Sequence, residues 1–238
     1  MLNNYKHDEK LHNKKAATAF LPILFKHIIP KSVIDIGCGL GTWLKVLEEN
    51  GIKDIIGVDG NHIDKSKLQI DEKNFILHDL NTPFSINRKF DLVINLEVAE
   101  HLSEQSADIL IETLTNLSNT ILFSAALPFQ GGQNHINEQP FSYWIKKFNK
   151  KGFIVKDVFR NEIWNNKEIE WWYKQNIFLI KKSEEKQELI NDYYHPESYF
   201  DKARIYFIDQ LSINRKEALL FLKTGIAIII KSLKKILI

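Results

Sequence analysis

The 238 residues are 44% hydrophobic and 26% charged, the balance of a soluble globular chain long enough for one sizeable α/β domain with an extension. A formal net charge of +2, with only four arginines among 32 basic residues, argues against a nucleic-acid partner. The single cysteine, Cys38, excludes an internal disulfide framework and any multi-cysteine metal site, and no apolar run reaches the roughly 18 residues that span a bilayer.

In chain order, the polar start "MLNNYKHDEKLHNKK" has no signal-peptide core, and Ala16 to Ile29 has amphipathic helical spacing with Pro30 as its stop. "SVIDI" reads as a β-branched strand. It leads into Gly37, Gly39 and Gly41 and then the helix "TWLKVLEEN", closed by Gly51. "DIIGVD" is a second strand and "NFILHDL" a third. "FDLVINL" is a fourth, its continuous apolar run suiting burial on both faces. "SEQSADILIETLTNLSN" is a helix opened by serine, and "TILFSAAL" is a fifth strand. "QPFSYWIKKFNKKG" is a helix with proline at its first position and glycine after its end. "FIVKDVF" and "NIFLIKK" close the domain, and "RNEIWNNKEIEWWYKQ" between them lets the final strand enter antiparallel.

Strands alternating with helices predict an α/β fold over residues 1–182: a doubly wound, seven-stranded, mainly parallel sheet with an antiparallel last strand. Residues 183–238 then read as a C-terminal helical extension. Leu222, Ile226, Ile229, Ile230, Leu233 and Leu237 fall on one helical face, with Lys223, Lys231, Lys234 and Lys235 opposite. Such a basic amphipathic helix suits peripheral contact with an anionic membrane, or packing on the domain or a second subunit, for which Ile228 on the polar face is an argument.

Three glycines at alternate positions after a strand let backbone amides and a helix N-terminus approach a ligand without Cβ atoms in the way. The spacing G-x-G-x-G is one residue shorter than the usual dinucleotide loop. Asp35 precedes it by two residues. Asp59 ends the next strand, where a carboxylate can accept two ribose hydroxyls, and Asp79 ends the third. "VIDIGCGLG", "IIGVD", "LHDL" and "FDLVINLEVAEHL", in that order, resemble the motifs of class I S-adenosylmethionine-dependent methyltransferases with a Rossmann-like fold. The resemblance covers roughly residues 30 to 182. It implies S-adenosylmethionine as cofactor and S-adenosylhomocysteine as product, with Gly37, Gly39 and Gly41 passing the amino-acid part. It further implies that Asp35 contacts the amine, Asp59 the ribose hydroxyls and Asp79 the adenine amino group, with Leu80 near the ring. Cys38 sits where the family has a small packing residue.

Methyl transfer needs an aligned acceptor and often a base, placed beyond the carboxyl ends of the strands. Glu97, Glu100 and His101, spaced i, i+3, i+4, share one face of a helical turn. They suit holding an acceptor. Alternatively they suit a divalent cation, because E-x-x-E-H resembles the metal-binding motif of some RNA and quinone-pathway O-methyltransferases.

The loop "PFQGGQNHINEQP" supplies His135, the candidate general base, with Glu97 and His101 holding the acceptor. Asn134, Asn137 and Gln139 suit a polyhydroxylated acceptor, and this loop before a "YW" helix resembles methyltransferases of polysaccharide and glycan biosynthesis. Trp164, Trp171, Trp172 and Tyr173 either stack on a sugar or bury a sheet edge. The expectation is a cytoplasmic enzyme that methylates O or N of a small, hydroxylated, sugar-like acceptor, with no metal among its assigned site residues. A cation-dependent O-methyltransferase, a non-catalytic membrane-tethered cofactor-binding subunit and a dinucleotide-dependent oxidoreductase are the other readings.

Overall fold

The computed structural model describes residues 14–187 and 190. By compactness the chain divides into two units, Met1–His195 and Pro196–Ile238. The described residues all belong to the first. Residues 183–187, the start of the expected C-terminal helical extension, form no helix; apart from residue 190, the rest of that extension, including its lysine face, lies outside the described residues.

Among the described residues, the strands are β1 Ser32–Ile36, β2 Asp54–Asp59, β3 Phe75–Leu77, β4 Leu92–Leu96, β5 Thr120–Ser124, β6 Phe153–Lys156 and β7 Phe178–Lys182. They form one sheet in the order β3-β2-β1-β4-β5-β7-β6. β1 pairs in parallel with β2 and β4, β2 with β3, and β4 with β5. β7 enters antiparallel between β5 and β6. This is the expected doubly wound sheet. The order reverses between β1 and β4, so a crevice opens there beyond the carboxyl ends of the strands.

Helices cover both faces, which explains why the central strands read as unbroken apolar runs. On one face α1 (Lys14–Leu24) and α2 (Thr42–Glu49) bury Phe20, Leu24, Leu44 and Leu47 against Val33, Leu92, Ile94 and Leu122. On the other, α3 (Ala107–Leu117) and α4 (Phe141–Lys150) bury Leu110, Leu114, Trp144 and Phe148 against Ile34, Val93, Ile121 and Phe123. Successive strand residues thus divide between two cores, as a two-residue period requires. Burying each large side chain stabilises by about 1.5–3 kcal/mol.

Two short helices join β6 to β7: α5 (Arg160–Ile163) and α6 (Trp171–Asn176). Arg160 is fully buried. Its guanidinium holds Asp157 through Nε (2.9 Å) and Nη2 (2.5 Å) and lies over the rings of Phe141 and Phe178. Among the described residues, no helix is long and apolar enough to cross a membrane.

Three boundaries differ from expectation. α1 ends at Leu24, well before Pro30: it takes Pro22 inside it, and the chain then tightens into turns in which Lys26 and His27 bond back only three residues. β3 stops at Leu77, because its partner β2 ends at Asp59 in register with it. Pro140 precedes α4 as its N-cap in extended conformation, leaving Phe141 as the first helical residue.

Candidate active site

The glycine loop joins β1 to α2, and all three of its glycines have positive φ. Gly37 N–H donates to the Val58 carbonyl (2.8 Å), pinning the loop to the end of β2. A Cβ at Gly37 would run into the Val98 side chain, and one at Gly41 would lie 2.9 Å from Ile70. The bare backbone at these two positions is therefore required twice, by conformation and by close approach. Cys38 is buried, its sulfur filling the space left by Gly57, where a Cβ would lie 2.7 Å away. Burial first, then Asp35 and Asp59, push its thiol well up, which suits packing and not nucleophilic chemistry.

Asp35 and Asp59 flank this loop, both buried. Asp59 accepts from the amides of Gly39 (2.6 Å) and Gly60 (2.6 Å), and His62 lies 3.4 Å from its Oδ1. Burial raises its carboxyl, against the opposing pull of His62 and those two amides. Asp35 is raised well above the ordinary carboxylate range by burial and then by Asp59. Two enclosed acids beside a glycine cradle are suited to a ligand carrying an ammonium group and vicinal hydroxyls, the chemistry of S-adenosylmethionine.

Asp79 is exposed and caps its own turn, accepting from the amide (3.0 Å) and side chain (3.1 Å) of Asn81. Those bonds, the amide first, hold its carboxyl below the usual range. Leu80 is half-buried against the sheet beside it.

The second group sits beyond β4, next to the loop through Val98. Glu97 has φ 53°, rare for a side-chain-bearing residue, and its amide donates to the carbonyl and hydroxyl of Ser124 on β5 (both 3.1 Å). The turn puts Glu97 and Glu100 to different uses. The Glu97 carboxylate takes hydrogen bonds from Gln130 Nε2 (2.7 Å) and Asn176 Nδ2 (3.2 Å), and Asn176 also donates to Gln130 Oε1 (2.8 Å). Glu97 therefore clamps the β4 end to the acceptor loop and to α6. Burial raises its carboxyl, against hydrogen bonds from Ser124, Gln130 and Asn176.

Glu100 is fully enclosed. Its carbonyl receives the amides of Ile136 (2.9 Å) and Asn137 (3.1 Å), drawing the loop of residues 128–140 over it. That contact brings His135 to His101, ring centroids 4.8 Å apart at 84°. His135 Nδ1 pairs with Glu138 Oε1 at 2.8 Å. Burial acts to raise Glu138, but the bonds from His135 and the Gly131 amide outweigh it and hold the carboxyl below its usual range. An ionised Glu138 fixes the proton on His135 Nδ1 and leaves the lone pair on Nε2.

Of the loop amides, Asn137 is buried and bonded to the Ala99 carbonyl (3.4 Å) and to Gln139 (2.9 Å), whereas Asn134 is exposed with φ 61°. Tyr173 and Trp172 pack toward Trp43, at the start of α2, and the core. Trp164 and Trp171 are half-buried.

Gln130, Asn176 and Glu138 were missed by sequence reasoning. A carboxylate three residues after a loop histidine is a signal that could have pointed to Glu138. Nothing in the local pattern marks Gln130 or Asn176.

The family model of the methyltransferase domain matches residues 5–176. The chain belongs to the S-adenosylmethionine-dependent methyltransferases of class I. Solved structures share this family's fold. Magnesium protoporphyrin IX methyltransferase from Synechocystis PCC 6803, with bound S-adenosylhomocysteine, is 19% identical with a TM-score of 0.55, over 74% of this chain and 85% of that one. The methyltransferase domain of bacterial CtHen1 is 20% identical with a TM-score of 0.50, over 71% and 97%. DesVI from Streptomyces venezuelae is 12% identical with a TM-score of 0.53, over 75% and 100%. No curated protein matches. At these identities the likeness speaks for the fold, and the acceptor has to be argued from this chain's own residues.

Proposed function

We propose that this methyltransferase transfers a methyl group to oxygen or nitrogen of a small hydroxylated acceptor, a sugar or sugar-linked group of a surface polysaccharide. The observation that carries this reading is the Glu138–His135–His101 arrangement. In it Glu138 holds His135 Nδ1 at 2.8 Å and the His135 ring meets that of His101, on a loop rich in amides.

In this reading Gly37, Gly39 and Gly41 admit the cofactor's amino-acid part, Asp35 meets its amine, Asp59 its ribose hydroxyls and Asp79 its adenine edge, with Leu80 against the ring. When bound, the cofactor supplies a methyl group on a positively charged sulfur. His135 Nε2 takes the acceptor's proton while Glu138 holds the opposite nitrogen. His101 lines the acceptor's other side, and Glu97 positions the loop through Gln130 rather than touching the acceptor. Asn134 is the exposed amide suited to a sugar hydroxyl. The enzyme works in the cytoplasm, where the basic C-terminal segment would let it meet a membrane-attached acceptor.

Incubating the protein with methyl-labelled S-adenosylmethionine and separate pools of sugar nucleotides, peptides and short RNA tests the substrate class. Label is expected in the sugar pool and lost with His135→Ala. Label in the peptide or RNA pool instead would overturn the assignment.

A further inference from the structure

Reading a nucleobase takes a hydrogen-bonding group held in one orientation, because a side chain that swivels gives up its discrimination. The end of β3 builds such a group from Asp79. The His78 amide donates to the Asp59 carbonyl (2.9 Å), so Asp79 follows directly on the strand pairing that ends at Asp59. Thr82 closes the turn, its amide (2.9 Å) and hydroxyl (2.7 Å) both donating to the Asp79 carbonyl. The backbone of the acid is thereby fixed, and the rotation of its side chain remains to be set.

Asn81 sets that rotation. Its amide (3.0 Å) and its side-chain Nδ2 (3.1 Å) both donate to Asp79 Oδ1. Its own Oδ1 accepts from the Ser106 hydroxyl (2.9 Å) and the Ser103 amide (3.5 Å), in the turn that leads from β4 into α3. The two serine hydroxyls are themselves joined at 2.7 Å, and Ser106 is buried. One exposed asparagine thus ties the Asp79 carboxylate to a buried serine 25 positions further along the chain. Both donors fall on Oδ1, and among the described residues none falls on Oδ2. An ionised carboxylate oxygen only accepts, so the open one asks for a donor from a ligand.

We infer that Asn81 is a positioning residue for base recognition: anchored on Ser106, it occupies Asp79 Oδ1 and reserves Oδ2 for the 6-amino group of adenine. The inference rests on the placement of Asp79 at the adenine edge proposed above. It adds a selectivity. A purine with an oxo group at position 6, as in hypoxanthine, sets an acceptor against an acceptor and is refused. The bond from the Asn81 amide survives replacement of its side chain, so Asn81→Ala tests only the ties through Nδ2 and Ser106.

The test is calorimetry on the full chain with S-adenosylhomocysteine and with S-inosylhomocysteine, in which oxygen replaces the 6-amino group. The native chain should prefer the adenosyl compound by about tenfold or more. Asn81→Ala should cut that preference at least threefold, mainly by weakening the adenosyl compound, at an unchanged urea midpoint because its side chain is exposed. Ser106→Ala, which leaves every contact of Asp79 in place, should act in the same direction. Combining the two should lower the preference little beyond Asn81→Ala alone, since both cut one tie. Asp79→Ala should erase it.

If Asn81→Ala weakens both compounds equally, or neither, the positioning role is overturned while Asp79 stays the adenine partner. A preference that is absent from the native chain, or that survives Asp79→Ala, removes Asp79 from the adenine edge and the inference with it.

Discussion

Single atoms decide much at the glycine loop. Gly37→Ala adds a methyl group that collides with Val98, on a backbone with φ 88° that a side chain resists. The expected cost is about 1–3 kcal/mol of folding stability, read from the urea midpoint, with cofactor affinity reduced as well. At the acceptor end, His135→Ala should lower kcat by about 10²–10⁴ in steady-state assays, the usual worth of a positioned proton acceptor. Glu138→Gln should cost less, since an amide oxygen can still accept from Nδ1 but no longer favours the required tautomer so strongly. An unchanged kcat in His135→Ala would remove that residue from the chemistry. These two neighbourhoods were unequally legible. Asp35, the glycines and Asp59 occupy one strand–loop–helix unit and the strand beside it, so spacing alone grouped them. His135 meets His101 across 34 positions of sequence, by a path that only the folded loop defines.

The elements were legible where burial dictates pattern. β1, β4 and β5 stand out as apolar runs because helices cover both faces, and α3 and α4 as stripes because each has one buried side. Legibility failed at edges and turns. β3 is short because its partner ends, and α1 because the chain passes into three-residue turns at Lys26 and His27, outcomes that no periodic pattern marks. The clamp between β4, the acceptor loop and α6 had no local signature at all. Its worth can be measured. Asn176→Leu removes a donor to Glu97 and to Gln130, and should destabilise by about 1–3 kcal/mol in urea unfolding. If the clamp positions the loop, the same variant raises KM for the acceptor more than for S-adenosylmethionine. Equal effects on both would assign it a purely structural role.

At the scale of the molecule, enclosed acids among the described residues are concentrated at the crevice. Asp35 and Glu100 are raised well above their ordinary values, in both cases by burial first and then by a neighbouring acid. A carboxyl whose folded pKa is raised contributes stability that is fully present below its unfolded pKa and is lost as pH rises through the folded one. The protein alone should therefore lose stability on moving from mildly acidic to alkaline buffer. Glu100→Gln should unfold at a higher temperature than the native chain at pH 8, with the gap narrowing toward pH 4; a gap that widens toward acid would contradict this. A ligand carrying positive charge relieves the same strain, so the crevice keeps its acids at a cost that binding offsets. The central claim is that the glycine loop and its flanking acids hold S-adenosylmethionine, and titration calorimetry with S-adenosylhomocysteine tests it most directly. The native chain should bind one equivalent, Asp59→Ala should weaken binding at least tenfold, and NAD should give no heat. Clear NAD binding with none for S-adenosylhomocysteine would contradict the account.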